Sequence, residues 1–464
     1  MAILNSSIIP NQLTTKLFPP SKQVHHTSKK PRPGIVHVSG YKFDVVVIGA
    51  GIIGLTIARQ FLTESNLSVA IVDSHVPCSG ATGAGQGYLW KVHKDPEGEK
   101  WELSMRSHNL WEKFAESLES QNIDPLRVLG WKKTGSLLVG RTTEESAMLK
   151  RKVDKLCEVG VETVLLSHDE LLLEEPSLAL GVDGMAAFLP DDYQIDARCA
   201  VGYIEEANRK FSAEGRYTTF YHEPVTSLLR TASGGEIEAV QTSNNIIYGR
   251  KAVVLAAGCW SGSFMQDLIK DSDTKLHLPV KPRKGHLLVF ENFSSVKLNH
   301  GIMEVGYVNH QSAALGSRDP GQDALDDAEE LSVSMTATMD KSGNLVLGSS
   351  RQFVGFNTQK DESIIRSIWE RAVEFFPFLR KQKLEDLIKR GEVRVGLRPF
   401  LVGGRPVIGN LPELSNFYIA AGHEGEGLSL ALGTAEMIVD MVLGNSVKVN
   451  PAPYSVQSHP LELQ

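Results

Sequence analysis

The chain has 464 residues, 42% hydrophobic and 22% charged, which is the make-up of a folded protein of two or three units and excludes a fibre or a disordered tail. Its 48 Lys+Arg against 55 Asp+Glu leave a net charge of -7, which argues against nucleic acid as the main ligand. Cys78, Cys157, Cys199 and Cys259 lie far apart with no CxxC pair, so neither a disulfide framework nor a metal site is expected, and no apolar run approaches the ~18 to 20 residues of a membrane span.

Residues 1–40 hold Lys16, Lys22, Lys29, Lys30 and Arg32 among Ser, Thr and Pro, with no Asp or Glu and no continuous apolar core. This predicts an organelle transit peptide. The scarcity of arginine favours the plastid, with the mitochondrion as the alternative.

The folded part begins at Tyr41. The run FDVVVI at 43–48 is a β-branched strand, glycines follow at once, and 55–62 has helical spacing; a second apolar strand at 69–72 ends on Asp73. Beyond it, 103–178 mixes helical stretches such as 148–159 with a strand at 135–139, and VVLAA at 253–257 is again a buried strand. From 278 to 354 alternating runs predict a mainly antiparallel sheet. The Gly-, Asp- and Glu-rich segment 305–331 reads as a solvated insertion or loop, and 364–379 as an amphipathic helix broken at Pro377. The chain closes with a strand at 417–421, a glycine turn and a helix at 428–443.

Gly49-Ala50-Gly51-Ile52-Ile53-Gly54 fits G-x-G-x-x-G between a strand and a helix. The first glycine serves the tight turn, the second the approach of a pyrophosphate, and the third close helix–strand packing, while the helix N-terminus faces the phosphates. Asp73, 24 residues after Gly49, stands where a carboxylate accepts ribose hydroxyls. This motif alone leaves FAD and a nicotinamide dinucleotide both open. The small residues of GATGAGQG at 80–87, with two further glycine turns at 253–261 and 422–429, bring several distant segments to one ligand, which suits the long, buried FAD.

With these motifs in hand, the chain resembles the FAD-dependent family of glycine oxidase, D-amino-acid oxidase, D-amino-acid dehydrogenase and sarcosine oxidase. The resemblance runs from about 44 to 444 and rests on GAGIIG, VVLAAGCWSG, LPVKPRKGH, GLRP with PVIG, and GHEGEG, in the family's order. It implies an α/β fold in which a Rossmann-like FAD-binding domain (41–110, 185–275, 392–445) is interleaved with a mainly antiparallel substrate domain (111–184, 276–391), followed by a C-terminal tail at 446–464. It also implies flavin contacts from Ala50 to Ile53, Asp73, Ser74, Ala81, Thr82, Val225, Gly258, and the turn His423, Glu424, Gly425, Glu426, Gly427, Leu428 and Ser429.

Arg398, inside GLRP, matches the family arginine that holds a substrate carboxylate through a guanidinium fork. The implied reaction transfers a hydride from the α-carbon of an amino or secondary amino acid to the flavin, giving an imino acid that hydrolyses. No side-chain base is required for it. Neither His423 nor His286 is read as an acid or base; His423 is read as shaping its turn, Trp260 as a packing residue, and Cys259 as a small buried one. No cysteine stands in 395–399 for covalent attachment, so FAD is expected to be non-covalent.

Departures from the family pattern bear on the substrate and the acceptor. Gly425 stands where bacterial glycine oxidases have an arginine and Thr336 where they have a tyrosine, which argues against glycine. Val346 stands where sarcosine-type oxidases have a lysine that activates oxygen, leaving O2 and a quinone both open as acceptor. Asp73 replaces the more usual Glu. Oxidation of a 2-hydroxy acid and a non-catalytic flavoprotein are the alternative readings, and oligomeric state is not legible.

Overall fold

The computed structural model describes residues 39–268, 276–295, 297–308, 331–459 and 462–463. Residues 1–38 of the expected transit peptide and 309–330 of the expected insertion lie outside them.

The strand Ser39–Ile48 is the centre of the first sheet. It pairs in parallel with Val69–Val72 on one side and Asn245–Leu255 on the other. Tyr217–Phe220 and Leu414–Ala421 extend this parallel core at its two ends. A parallel sheet covered on both faces requires unbroken apolar strands, and Val45, Val46 and Val47 are all fully buried. Val45 and Val47 pack with Phe61 of the helix Ile52–Glu64 and with Leu430 and Ile438 of the helix Gly427–Leu443. Val46 and Ile48 face the opposite layer, with Val253 and Phe417.

Among the described residues the second sheet has eight strands in the order Glu392–Phe400, Lys281–Phe290, Leu345–Arg351, Ser332–Met339, Gly301–Glu304, Ser136–Gly140, Met185–Leu189 and Val164–Leu166. Its pairs are antiparallel except that Gly301–Glu304 runs parallel to Ser136–Gly140. The amphipathic helix Glu362–Phe375 covers one face, setting Ile364, Ile368 and Ala372 against Leu288, Phe290 and Leu347. It ends just before Pro377, because the residue preceding a proline is pushed out of the helical region. The predicted α/β architecture with two interleaved sheets is therefore the one observed.

The structure refines the segment assignments at several points. Met185–Leu189 and Glu392–Phe400, placed with the cofactor-binding segments, are strands of the second sheet. An apolar strand pattern does not state which sheet it joins. The helix Trp101–Ser120, divided at 110, packs as one rod on the first core through Leu103, Trp111 and Leu118. Residues 446–459 of the C-terminal tail pack on the fold: Val449, Tyr454 and Val456 are buried, and the Tyr454 hydroxyl donates to the Glu99 carbonyl at 2.7 Å. Finally, the part of 305–331 that is described, 305–308, is helical, with Val305 and Tyr307 buried rather than solvated. No helix among the described residues is long and apolar enough to cross a membrane.

Candidate active site

The carboxyl ends of the parallel strands open into a cavity of about 680 Å³ that runs from Asp73 and Val225 to Arg398 and Tyr307. Its first wall is the GAGIIG turn. Gly49 has φ of 114°, and a Cβ there would lie 2.3 Å from the Ala256 carbonyl oxygen. A Cβ on Gly54 would fall 2.0 Å from the Gly49 carbonyl oxygen. These two glycines therefore let strand, turn and helix close on one another, and Gly54 does so away from the cavity.

Gly51 caps the helix Ile52–Glu64 without a side chain of its own. The hydroxyl of Thr82 supplies the missing acceptor, taking the Ile52 N–H at 3.2 Å. Asp73 is pinned at the lip: its two oxygens accept the amides of Ala50 and His75, each at 2.7 Å. A carboxylate oxygen carries two lone pairs, so this anchoring is compatible with ribose hydroxyls.

Gly49, Gly51, Ile52, Ile53, Asp73 and Ser74 line the cavity, as do Ala81, Thr82, Val225 and Gly258. From the last glycine turn His423, Glu424, Gly425, Gly427 and Leu428 line it too. Four residues predicted to touch the cofactor do not line the cavity. Ala50 presents its amide to Asp73, Gly54 serves packing, and Ser429 donates its hydroxyl to the Glu426 carbonyl at 3.0 Å. Glu426 is buried behind the wall, with its carboxylate between Lys94 and Lys100. A motif match names the residues of a turn and does not say which of them face the cavity.

Arg398 stands in Glu392–Phe400 opposite Arg283 of the neighbouring strand. Its Nη1 donates to the Ser350 carbonyl at 2.9 Å, which fixes one branch of the fork, and the residue lines the cavity. Gly285 makes room for it, since a Cβ there would lie 2.3 Å from Nη1. Gly285→Ala is therefore expected to displace the guanidinium, raising KM for a carboxylate substrate about tenfold or more while leaving flavin content unchanged. Steady-state kinetics beside the visible spectrum check this.

Sequence reasoning missed a tyrosine pair at this end. The hydroxyls of Tyr88 and Tyr307 are 2.6 Å apart, both residues line the cavity, and the Arg351 guanidinium lies 4.0 Å over the Tyr307 ring. Burial, with Tyr307 beside it, pushes the Tyr88 phenol well above its ordinary value, so it stays protonated. Tyr88 directly follows GATGAGQG and was legible as a neighbour of that motif. Tyr307 fell in a stretch whose composition concealed it.

Glu424, in the left-handed region at φ 48°, has its carboxylate bonded by the Gly425 amide and 3.4 Å from Arg283 Nη1. Burial opposes its ionisation, but Arg398, Arg283 and Arg351 hold its carboxyl below the ordinary carboxylate value. Trp260 corrects the packing reading: it is 45% exposed and stacks on Phe356, 5.9 Å away, at the cavity wall. Cys259 is buried as expected, its thiol pushed up to about 12 by burial.

Burial brings His423 down to about 3, with its Nε2 3.0 Å from the Thr434 hydroxyl, and brings His93 and His286 down to about 4. These rings are neutral at physiological pH and too weakly basic to take a proton there. Because unfolded histidine titrates near 6.5, the unfolded chain binds more protons than the folded one between that pH and the folded values. Stability is thus expected to be full above pH 6.5 and to fall on acidification, by up to about 1.4 kcal/mol per pH unit for each of His93 and His423. Urea unfolding at about pH 7.5 and pH 5, with His423→Asn as a control of shallower slope, measures it.

Residues 44–441 match the family model described as FAD dependent oxidoreductase, DAO. The chain belongs to that family. It is 26% identical over 406 residues to glycine oxidase of Bacillus subtilis (strain 168), covering 87% of this chain and 94% of that protein. The crystal structure of glycine oxidase from Geobacillus kaustophilus superposes with a TM-score of 0.73 at 22% identity, over 90% of this chain and 99% of the other. L-proline dehydrogenase from P. horikoshii gives 0.71 at 21%, over 90% and 97%.

FAD is the cofactor of this oxidoreductase, and the cavity fits it. Gly51 leaves space at the helix N-terminus for a pyrophosphate, where a Cβ would crowd the Thr82 hydroxyl at 3.3 Å, and Asp73 stands at the adenosine end. Among the described residues no group of three His, Cys, Asp or Glu is placed to hold a metal.

Proposed function

We propose that this flavoprotein oxidises the α-carbon of an amino acid or secondary amino acid larger than glycine, with non-covalent FAD. The carrying observation is Arg398, half-buried in the same cavity as the flavin-binding turns and fixed over Gly285 and against Ser350. Glycine oxidase and L-proline dehydrogenase, named among the similar proteins, both act on amino acids. Gly425 leaves open the position next to Arg398, where a Cβ would still be 3.6 Å from the Arg398 side chain and from the Tyr307 hydroxyl. Thr336 is buried and spends its hydroxyl on Gln86 at 2.8 Å. The space and the tyrosine pair together favour a substrate with a side chain.

Bound flavin supplies the hydride acceptor. The protein's own residues supply position and environment. Arg398 would hold the carboxylate and so restrict the orientations open to the substrate's α-carbon beside the flavin site. Tyr88, its phenol kept protonated by burial, and Tyr307 offer hydroxyls to polar groups of the substrate, and Leu287 with Leu397 of the wall excludes water. His423, neutral and held by Thr434, keeps its turn in place without exchanging protons. The imino acid leaves and hydrolyses in water. The second substrate is O2 or a quinone, and the acid-free leader at 1–40 supports a plastid location.

The test is an anaerobic visible spectrum of residues 41–464 recorded during addition of D-amino, N-alkyl-amino and 2-hydroxy acids. Bleaching by an amine class is the expected result. Bleaching by 2-hydroxy acids alone would overturn the proposal.

A further inference from the structure

Behind the last glycine turn lies a buried ion group that the flavin-binding motif does not require. Glu426 is the residue that precedes the helix Gly427–Leu443, and its side chain is only 4% exposed. Its Oε1 takes the Lys94 ammonium and its Oε2 the Lys100 ammonium, while His93 Nε2 lies 3.7 Å from Oε1. Lys94 is itself buried, and its carbonyl accepts the Lys152 ammonium at 2.7 Å. Burying three charges costs several kcal/mol per ion before any attraction is counted, so such a group is a poor source of stability.

What the group does hold is position. Gly425, Gly427 and Leu428, on both sides of Glu426, line the cavity, and the Glu426 amide closes the turn by donating to the His423 carbonyl at 2.9 Å. The segment carrying His93, Lys94 and Lys100 follows Tyr88 and leads into the helix Trp101–Ser120. His93 reaches the other end of the cavity through edge contacts with Tyr88 and Tyr307, at 5.8 and 6.5 Å between ring centres.

We propose that Lys94 and Lys100 are positioning residues. By clamping Glu426 from behind, they hold the turn from His423 to Gly427 in its flavin-facing form. His423 on Thr434 and Glu424 on Arg283 fix the first half of the turn, while its second half, Gly425 to Gly427, has Glu426 as its one side chain, so a two-sided ionic hold on that residue restricts a flexible backbone. The role concerns flavin retention and is independent of which substrate is oxidised.

The test uses the purified full chain, stripped of FAD and titrated with FAD while flavin fluorescence and the visible spectrum are followed. Lys100 is the residue of choice because it is the most accessible of the three, at 22% exposure. Lys100→Gln is expected to weaken FAD binding about tenfold with the melting temperature of the apoprotein unchanged, and Lys100→Arg to restore binding to within about threefold. A triple change, Lys94→Met, Lys100→Met and Glu426→Leu, removes all three charges, so it is expected to melt at or above the wild-type temperature and still bind FAD about tenfold more weakly. Wild-type affinity in Lys100→Gln overturns the proposal. So does an affinity loss in Lys100→Gln matched by a loss of apoprotein melting temperature, which would make the group merely structural. Should the triple variant not fold, the Gln and Arg variants at position 100 decide the matter alone.

Discussion

Replacing Arg398 by Ala raises KM for the carboxylate substrate by roughly 100-fold or more while the protein stays yellow. Each charge-assisted hydrogen bond from a guanidinium contributes about 1.5 to 3 kcal/mol, so losing a two-pronged hold removes about 3 kcal/mol or more. Arg398→Lys recovers little of this, because an ammonium is a point donor and does not reproduce the planar fork. The flavin is unaffected, since none of the GAGIIG, Asp73 or Thr82 contacts involves Arg398. Steady-state kinetics and the flavin-to-protein absorbance ratio separate the two effects. An unchanged KM would remove Arg398 from the anchoring role, and with it the main support for a carboxylate substrate.

Gly49→Ala abolishes flavin retention and destabilises the fold. Its φ of 114° is strained for any residue with a Cβ, and the new methyl would meet the Ala256 carbonyl oxygen at 2.3 Å. Strain and overlap each cost about 1 to 3 kcal/mol, so the sum is about 2 to 6 kcal/mol, a melting shift of roughly 2 to 7 °C in a chain of this size. Differential scanning fluorimetry together with FAD release on denaturation reads both. A Gly49→Ala protein that kept full flavin content would mean that the turn tolerates more movement than its contacts allow.

The contrast between these two residues shows what the amino-acid order carries and where it stops. Gly49, Gly51 and Gly54 were legible because they act within one strand, turn and helix, and Asp73 because it ends the next strand of the same unit. Thr82, which reaches the Ile52 amide from 30 residues on, was legible as part of a second glycine-rich stretch and through the resemblance. Arg398 was legible only through resemblance, since nothing in GLRP itself announces that Gly285, more than 100 residues earlier, clears its path. The role of Glu426 was misjudged because a motif records which residues form a turn and not the side to which each points. Tyr307 was missed because acidic, glycine-rich neighbours mark a solvated loop, and burial of one tyrosine among them depends on Arg351 and Tyr88 from remote segments. Sheet membership of Met185–Leu189 was beyond reach for the same reason: period and composition predict a strand, while its partner at Ser136–Gly140 is a tertiary choice.

The central strand Ser39–Ile48 is bordered by Asn245–Leu255, which in turn takes Leu414–Ala421 as its neighbour. A ribosome therefore releases the pyrophosphate turn long before the strand and glycine turn that close the opposite wall exist. Such distant pairings have a high loop-closure entropy and fold slowly, so the nascent chain carries unpaired apolar strand edges through most of its synthesis. The last sixty or so residues act as a latch, and a chain lacking them would be a client for chaperones and proteases rather than a weaker flavoprotein.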